Sequence, residues 1–193
     1  IISLNTKVKD LGEVNIFEES YREYKQSEKQ KSLSEIYWKK LKITDSKTIT
    51  TNKWLFNYQY AGIIAKAIPN AKIIHCYRNP LDNILSTYRA HFATGNNFSS
   101  SLVDSAEVYS DQDEIMRTYK KEFKNHIYSL NYDKLVTHPS DEIKSLIHWL
   151  GWSWNDLYLS PHLNKRKVST RSNVQVRSPI NTKSLGGWKN YKE

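Results

Sequence analysis

Cysteine occurs once in this 193-residue chain, at Cys76. A lone cysteine excludes an internal disulfide framework, and its place inside an apolar run reads as a small buried hydrophobe rather than a nucleophile. Long apolar runs are also missing. Mean hydropathy is −0.70, and no stretch approaches the roughly 18 apolar residues of a membrane span. The 6 histidines are scattered, and no Cys, His or Asp spacing matches a metal site, so no metal is expected. Internal repeats and low-complexity linkers are absent. No secretory leader is visible, which leaves the cytoplasm as the expected location. The opening residues "IISLNTKVKDLGE" lack an initiator methionine and read as the interior of an element, so further residues upstream are expected. Negative charge is the scarcer sign: 20 acidic residues stand against 29 Lys and Arg, for a net charge of +9. Such a balance attracts anions, whether nucleic acid, membrane surface, nucleotide phosphates or an acidic substrate.

The length suits one domain, and hydrophobic and aromatic fractions of 38% and 12% allow a packed core. Residues 18–41 predict two helices with a break near Gln30 to Leu33, where Ser32 or Ser34 can cap the second. Residues 43–53 are a Thr-rich extended or loop stretch. Residues 55–69 predict an amphipathic helix stopped by Pro69. Residues 71–78, "AKIIHCYR", lack alternation and predict a short buried parallel strand. Pro80 opens a helix to about Thr94, with Gly95 to end it. A polar loop over 96–105 precedes a helix over 106–125. Residues 126–136 hold a second strand and a turn, and Pro139 begins a helix that Gly151 stops at Leu150. Helices alternating with two short strands indicate an α/β three-layer domain, with more strands expected upstream.

Arg78 stands at the carboxyl end of the first predicted strand, where open α/β sheets bind ligands. The helix after it is expected to offer free N–H groups and a positive dipole end to the same crevice. A guanidinium fork suits a phosphate. Ser86, eight residues on, reaches the same anion only if the ligand runs over the helix, as a phosphate on a ribose would. On spacing alone the plainer reading, a surface arginine and a helix-facing serine, carries more weight.

Wider context shifts that weight. "YRNPLDNILSTYRAHF" resembles the stretch that holds the 3′-phosphate of phosphoadenosine phosphosulfate (PAPS) in sulfotransferases. "TNKWLFNYQYAGIIAKAIPNAKIIHCYRNPLD" is similar to the segment in which an Asn/Asp-Lys precedes an aromatic-rich helix and that strand. "LNYDKLV" resembles the family's Tyr-Glu-x-Leu-Val stretch. "STRSNVQVRSPINTKSLGGWKNY" is similar to the closing loop of protein-tyrosine sulfotransferases and of bacterial tetratricopeptide-repeat sulfotransferases. "IISLNTKVKDLGEVN" resembles the helix and acidic turn that follow the family's phosphosulfate loop. The Gly/Ser/Thr-rich loop itself is not in the sequence, and no G-x-x-x-x-G-K-[ST] replaces it. Residues 1–193 are therefore expected to form one sulfotransferase domain, incomplete at its N-terminus and a poor catalyst as it stands. The implied fold is a P-loop-like α/β domain with a short parallel sheet flanked by helices, its first strand and loop missing.

The resemblance also implies roles. Glu13 matches the catalytic base, Lys53 the lysine at the leaving-group oxygen, and Ser172 a donor to the transferred group or cofactor. For cofactor binding it implies Arg78, Ser86 and Tyr132, with Arg171 and Arg89 behind them. Each has a plain alternative: a capping glutamate, a solvated lysine, loop chemistry, a core tyrosine, a surface arginine. Trp188 reads as packing for the closing loop. Relatives carry a basic residue just before that tryptophan; here it is Gly187, with Lys183 or Lys189 to compensate. The resulting expectation is an enzyme that uses PAPS as nucleotide cosubstrate and a hydroxyl acceptor on a protein tyrosine, a carbohydrate or a small alcohol. Positive charge favours an acidic acceptor such as a tyrosine among acidic residues. The competing class is a non-catalytic basic α/β module that binds a nucleotide or nucleic acid. Nucleic acid is disfavoured because the aromatics fall mostly at core periods.

Overall fold

The computed structural model describes residues 1–27, 31–43, 45, 47–90, 92, 95–164 and 175–192. Arg171 and Ser172 lie outside the described residues. Where the sequence suggested a helix at the start, Ile2–Leu4 make a 3₁₀ turn and Val8–Asp10 a strand, β1. β1 pairs in parallel with β2 (Ile49–Thr51), Val8 opposite Ile49 and Asp10 opposite Thr51. β3 (Ile73–Tyr77) pairs in parallel with β4 (Ile127–Asn131), Ile73 opposite Ile127 and Tyr77 opposite Asn131. Both β1 and β2 span three residues, too short for an alternating pattern to separate them from loop. The described strands thus form two parallel pairs rather than one continuous sheet.

Among the described residues seven α-helices accompany them. Helices α1 (Ile16–Gln26) and α2 (Leu33–Leu41) break where the sequence predicts. Ser32 accepts from the Glu35 backbone N–H while Glu35 reaches back to the Ser32 N–H at 2.8 Å, a reciprocal cap. The Ser32 N–H and then the Ser32 hydroxyl, both donating to Glu35 Oε2, hold the Glu35 carboxyl below its ordinary pKa. The segment before Pro69 begins as a 3₁₀ helix, Leu55–Tyr60, and becomes helix α3 at Ala61–Ala67. Helix α4 spans Pro80–Ala90, its expected last residue Thr94 lying outside the described residues, and α5 (Leu102–Glu122) starts earlier than expected, with Ser101 as its cap. The turn after β4 is a short helix, α6 (Tyr132–Thr137). Helix α7 (Pro139–Leu150) ends on Gly151 at φ +76°, a left-handed stop that favours glycine.

Successive residues of β4 show the layering. Ile127 packs in a cluster with Met116 of α5, while the ring of Tyr128 lies 5.3 Å from that of Trp149 in α7. Alternate strand residues point to opposite faces, so helices cover both sides of this pair. A second cluster joins α1, α2 and the residue that ends α3 through Phe17, Leu33, Tyr37 and Ile68. A third sets Ile143 and Ile147 of α7 against Tyr158. Between the two strand pairs lies a cavity of about 620 Å³, lined by Ile49, Thr51 and Lys53 on one side and Ile73, His75 and Cys76 on the other. Cys76 is therefore not a buried hydrophobe: it is exposed to the cavity but shielded by the cavity walls. That shielding pushes its thiol pKa up, and the charge of Lys53 opposes the rise.

Candidate active site

Parallel pairing places the carboxyl ends of two neighbouring strands side by side, and here both pairs bring polar side chains together at those ends. Beyond β1 and β2 the ladder continues: the Leu11 N–H donates to the Thr51 carbonyl at 2.9 Å and the Lys53 N–H to the Gly12 carbonyl at 2.9 Å. Gly12 turns the chain at φ +76°, a conformation costly for side chains with a Cβ. Asp10 Oδ1 holds that turn by accepting the Gly12 N–H at 2.9 Å. The result brings Glu13 across from Lys53, and Lys53 Nζ donates to Glu13 Oε1 across 40 residues of sequence. The lysine side chain is 73% exposed, so the pair adds little to stability. It leaves a carboxylate and an ammonium at the rim of the cavity, open to an incoming group.

The second strand pair delivers a second cluster. Arg78 directly follows β3 and Tyr132 directly follows β4. The guanidinium stacks on the Tyr132 ring, 5.0 Å from its centroid. Arg78 Nη2 donates to the Ser184 carbonyl at 2.5 Å and lies 3.6 Å from Asp82 Oδ2. Its Nε is buried with no hydrogen-bond partner among the described residues. A buried donor without a partner is unfavourable unless a ligand or water meets it. The hydroxyls of Tyr132 and Ser184 are 2.7 Å apart, and the Tyr109 hydroxyl donates to the Arg78 carbonyl at 3.3 Å.

One expectation fails here. The first turn of α4 does not offer free N–H groups. Leu81 and Asp82 both donate to Asn79 Oδ1, at 3.0 and 3.2 Å, and Asn83 donates to the Asn79 carbonyl at 2.9 Å. Pro80 has no N–H. Asn79 thus uses the whole turn as a helix cap, and an anion at this point would depend on side chains. The Asn79 N–H itself donates to Asp133 Oδ2 at 2.8 Å.

Ser86 and Arg89 are exposed on α4, and no hydrogen bond joins either to Arg78. Lys183 and Lys189 are exposed, and Trp188 is half-buried in the final 3₁₀ turn, Gly187–Tyr191. Asp82, Asp133 and Ser184 escaped the reading of the sequence. An aspartate in a first helical turn is common, and its partners 104 residues away leave no local signal. Among the described residues no three His, Cys, Asp or Glu side chains gather as a metal-holding group.

A layered α/β fold with a carboxylate, an ammonium and a guanidinium at the carboxyl ends of parallel strands defines a protein that handles an anion in a strand-end crevice. The chain belongs to the Sulfotransferase family, whose sequence profile matches residues 5–156. It is 34% identical over 140 residues to an uncharacterized protein of Aquifex aeolicus (strain VF5), a match that covers 71% of this chain and 18% of that protein. It is 27% identical over 145 residues to Protein-tyrosine sulfotransferase 1 of Danio rerio, covering 71% of this chain and 41% of that one. The chain therefore spans well under half the length of these two relatives. The sulfotransferase domain from the curacin biosynthetic pathway shares the fold, with a TM-score of 0.61 at 14% identity, over 92% of this chain and 71% of that one.

Proposed function

We propose that this chain carries the acceptor base and the 3′-phosphate site of a sulfotransferase that uses PAPS and a hydroxyl acceptor. The observation that carries this reading is the Glu13–Lys53 pair, assembled by β1 and β2 at the mouth of the cavity. When bound, the cosubstrate supplies the sulfuryl group: a new bond forms from the acceptor oxygen to sulfur, the bond from sulfur to the phosphate oxygen breaks, and the bisphosphate nucleotide leaves. Glu13 takes the acceptor's proton, an effect typically worth about 10²- to 10⁴-fold. Lys53 holds positive charge where the leaving oxygen gains negative charge, and a compact ammonium suits a single oxygen. Each neutralises the other at rest, so the acceptor hydroxyl enters between an opened pair. Arg78 fits the ribose-borne phosphate through its buried, partnerless Nε and its stacking on Tyr132. Ser86, Arg89, Arg171 and Ser172 complete the proposed contacts on the strength of their match to the family's motifs.

Calorimetry with 3′-phosphoadenosine 5′-phosphate, beside adenosine 5′-phosphate, tests the phosphate site. Arg78→Ala should weaken the bisphosphate by about ten- to a hundredfold, the range of a lost charge-assisted bond. It should leave the monophosphate unaffected. Equal affinities in wild type and variant would remove the assignment. In the full-length protein, Glu13→Gln should bind the bisphosphate normally and lose turnover; unchanged turnover would place the base elsewhere. Binding without any turnover in the full-length wild type would favour the non-catalytic module.

A further inference from the structure

Asp82 has a buried carboxylate, its side chain 4% exposed, and such a group persists only when compensated. An acid at the third position of a helix ordinarily reaches back to the N–H of the capping residue. Here that N–H, on Asn79, is taken by Asp133. Asp82 turns instead to the far end of the chain. Its Oδ2 accepts the Gly186 N–H at 2.7 Å and its Oδ1 the Trp188 N–H at 3.2 Å. Gly186 adopts φ +68°, a turn within which the Gly186 and Trp188 N–H groups reach one carboxylate. A side chain begun at Gly187 would stand 3.6 Å from Asp82 Oδ1, so the loop backbone lies directly on the acid. The segment held in this way carries Ser184, whose carbonyl receives Arg78 Nη2 and whose hydroxyl meets Tyr132.

We propose that Asp82 is a positioning residue that couples segment 184–188 to the anion site of Arg78, fixing the segment as a roof over the arginine. This rests on the reading of Arg78 as a nucleotide-phosphate ligand. The simpler role, a negative charge that merely offsets Arg78, predicts the opposite sign. An aspartate 3.6 Å from the arginine repels an incoming phosphate, so removing its charge alone would tighten anion binding. Loss of the roof would weaken it.

The test uses Asp82→Asn, which keeps shape and loses one acceptor and the charge, together with Asp82→Ala. Binding of 3′-phosphoadenosine 5′-phosphate is measured by calorimetry, and amide hydrogen exchange is followed over residues 183–191. Coupling predicts roughly tenfold weaker binding for Asp82→Asn, the effect of one lost charge-assisted bond, and faster exchange at Gly186 and Trp188. Arg78→Ala should leave those two amides protected, because the acid and not the arginine is the anchor. Equal or tighter binding by Asp82→Asn, or unchanged exchange at both amides, overturns the proposal and leaves the nucleotide reading intact. If the wild type fails to distinguish the bisphosphate from adenosine 5′-phosphate, the nucleotide reading fails and the coupling fails with it.

Discussion

His75 illustrates how one side chain can set the pH response of the whole fold. It is 8% exposed in the middle of β3, its ring stacked 5.9 Å from that of Tyr77, and its Nδ1 is buried without a partner. Burial, reinforced by the charge of Lys120 and opposed by Asp113, lowers its pKa from 6.5 to about 4. The folded state therefore resists a proton that the unfolded chain accepts. Stability is fully present above pH 6.5 and falls as the pH drops from there towards 4. Between pH 7 and 4.5 this one group should remove on the order of 2 kcal/mol. His75→Phe, which keeps the ring stack, should flatten that part of the profile in urea unfolding. An equal pH dependence in the variant would assign the acid sensitivity to other groups.

At the scale of elements, α3 meets α5 at a glycine. A Cβ at Gly62 would meet Tyr119 ring atoms at 2.5 and 2.9 Å and Phe123 at 3.1 Å. Two opposed effects follow from Gly62→Ala. Helix propensity improves by about 1 kcal/mol, while overpacking costs about 1–3 kcal/mol. Two rings stand in the way, and the Tyr119 hydroxyl donates to the Gln59 carbonyl at 3.3 Å, so repacking wins and the variant should be about 1 kcal/mol less stable. Thermal unfolding checks this, and a raised midpoint would show that the rings move aside freely. Helix boundaries were legible where local chemistry sets them: the Ser32 cap, Pro139 at a first turn, Gly151 at a last. The start of α5 was not legible, although a capping serine stands there. Ser101 opens α5 inside a stretch whose polarity resembles a loop.

For the whole molecule, the net charge of +9 bears on how an anionic nucleotide arrives. Long-range attraction acts over a Debye length, which falls from about 30 Å at 0.01 M salt to about 3 Å at 1 M. The association rate for 3′-phosphoadenosine 5′-phosphate should drop at least about tenfold across that range, while an uncharged nucleoside should show no such loss. A salt-independent rate would mean that the basic residues do not steer the ligand. No described helix is long and apolar enough to cross a membrane, as the scarcity of apolar runs implied.

The amino-acid sequence by itself determined the α/β class, most helices, both members of the β3–β4 pair and the family, because caps, periodicity and contiguous motifs are local. It also named Glu13 and Lys53, but only through resemblance, since nothing in their own neighbourhoods separates them from other surface charges. Tertiary structure alone decided that these two meet, that Cys76 opens into a cavity, and that Asn79 uses up the first turn of α4. It alone tied Asp82 to Gly186 and Trp188. The reason is physical: a parallel ladder or a buried carboxylate joins groups tens to a hundred residues apart, and a contact of that span leaves no periodic trace in either stretch of chain.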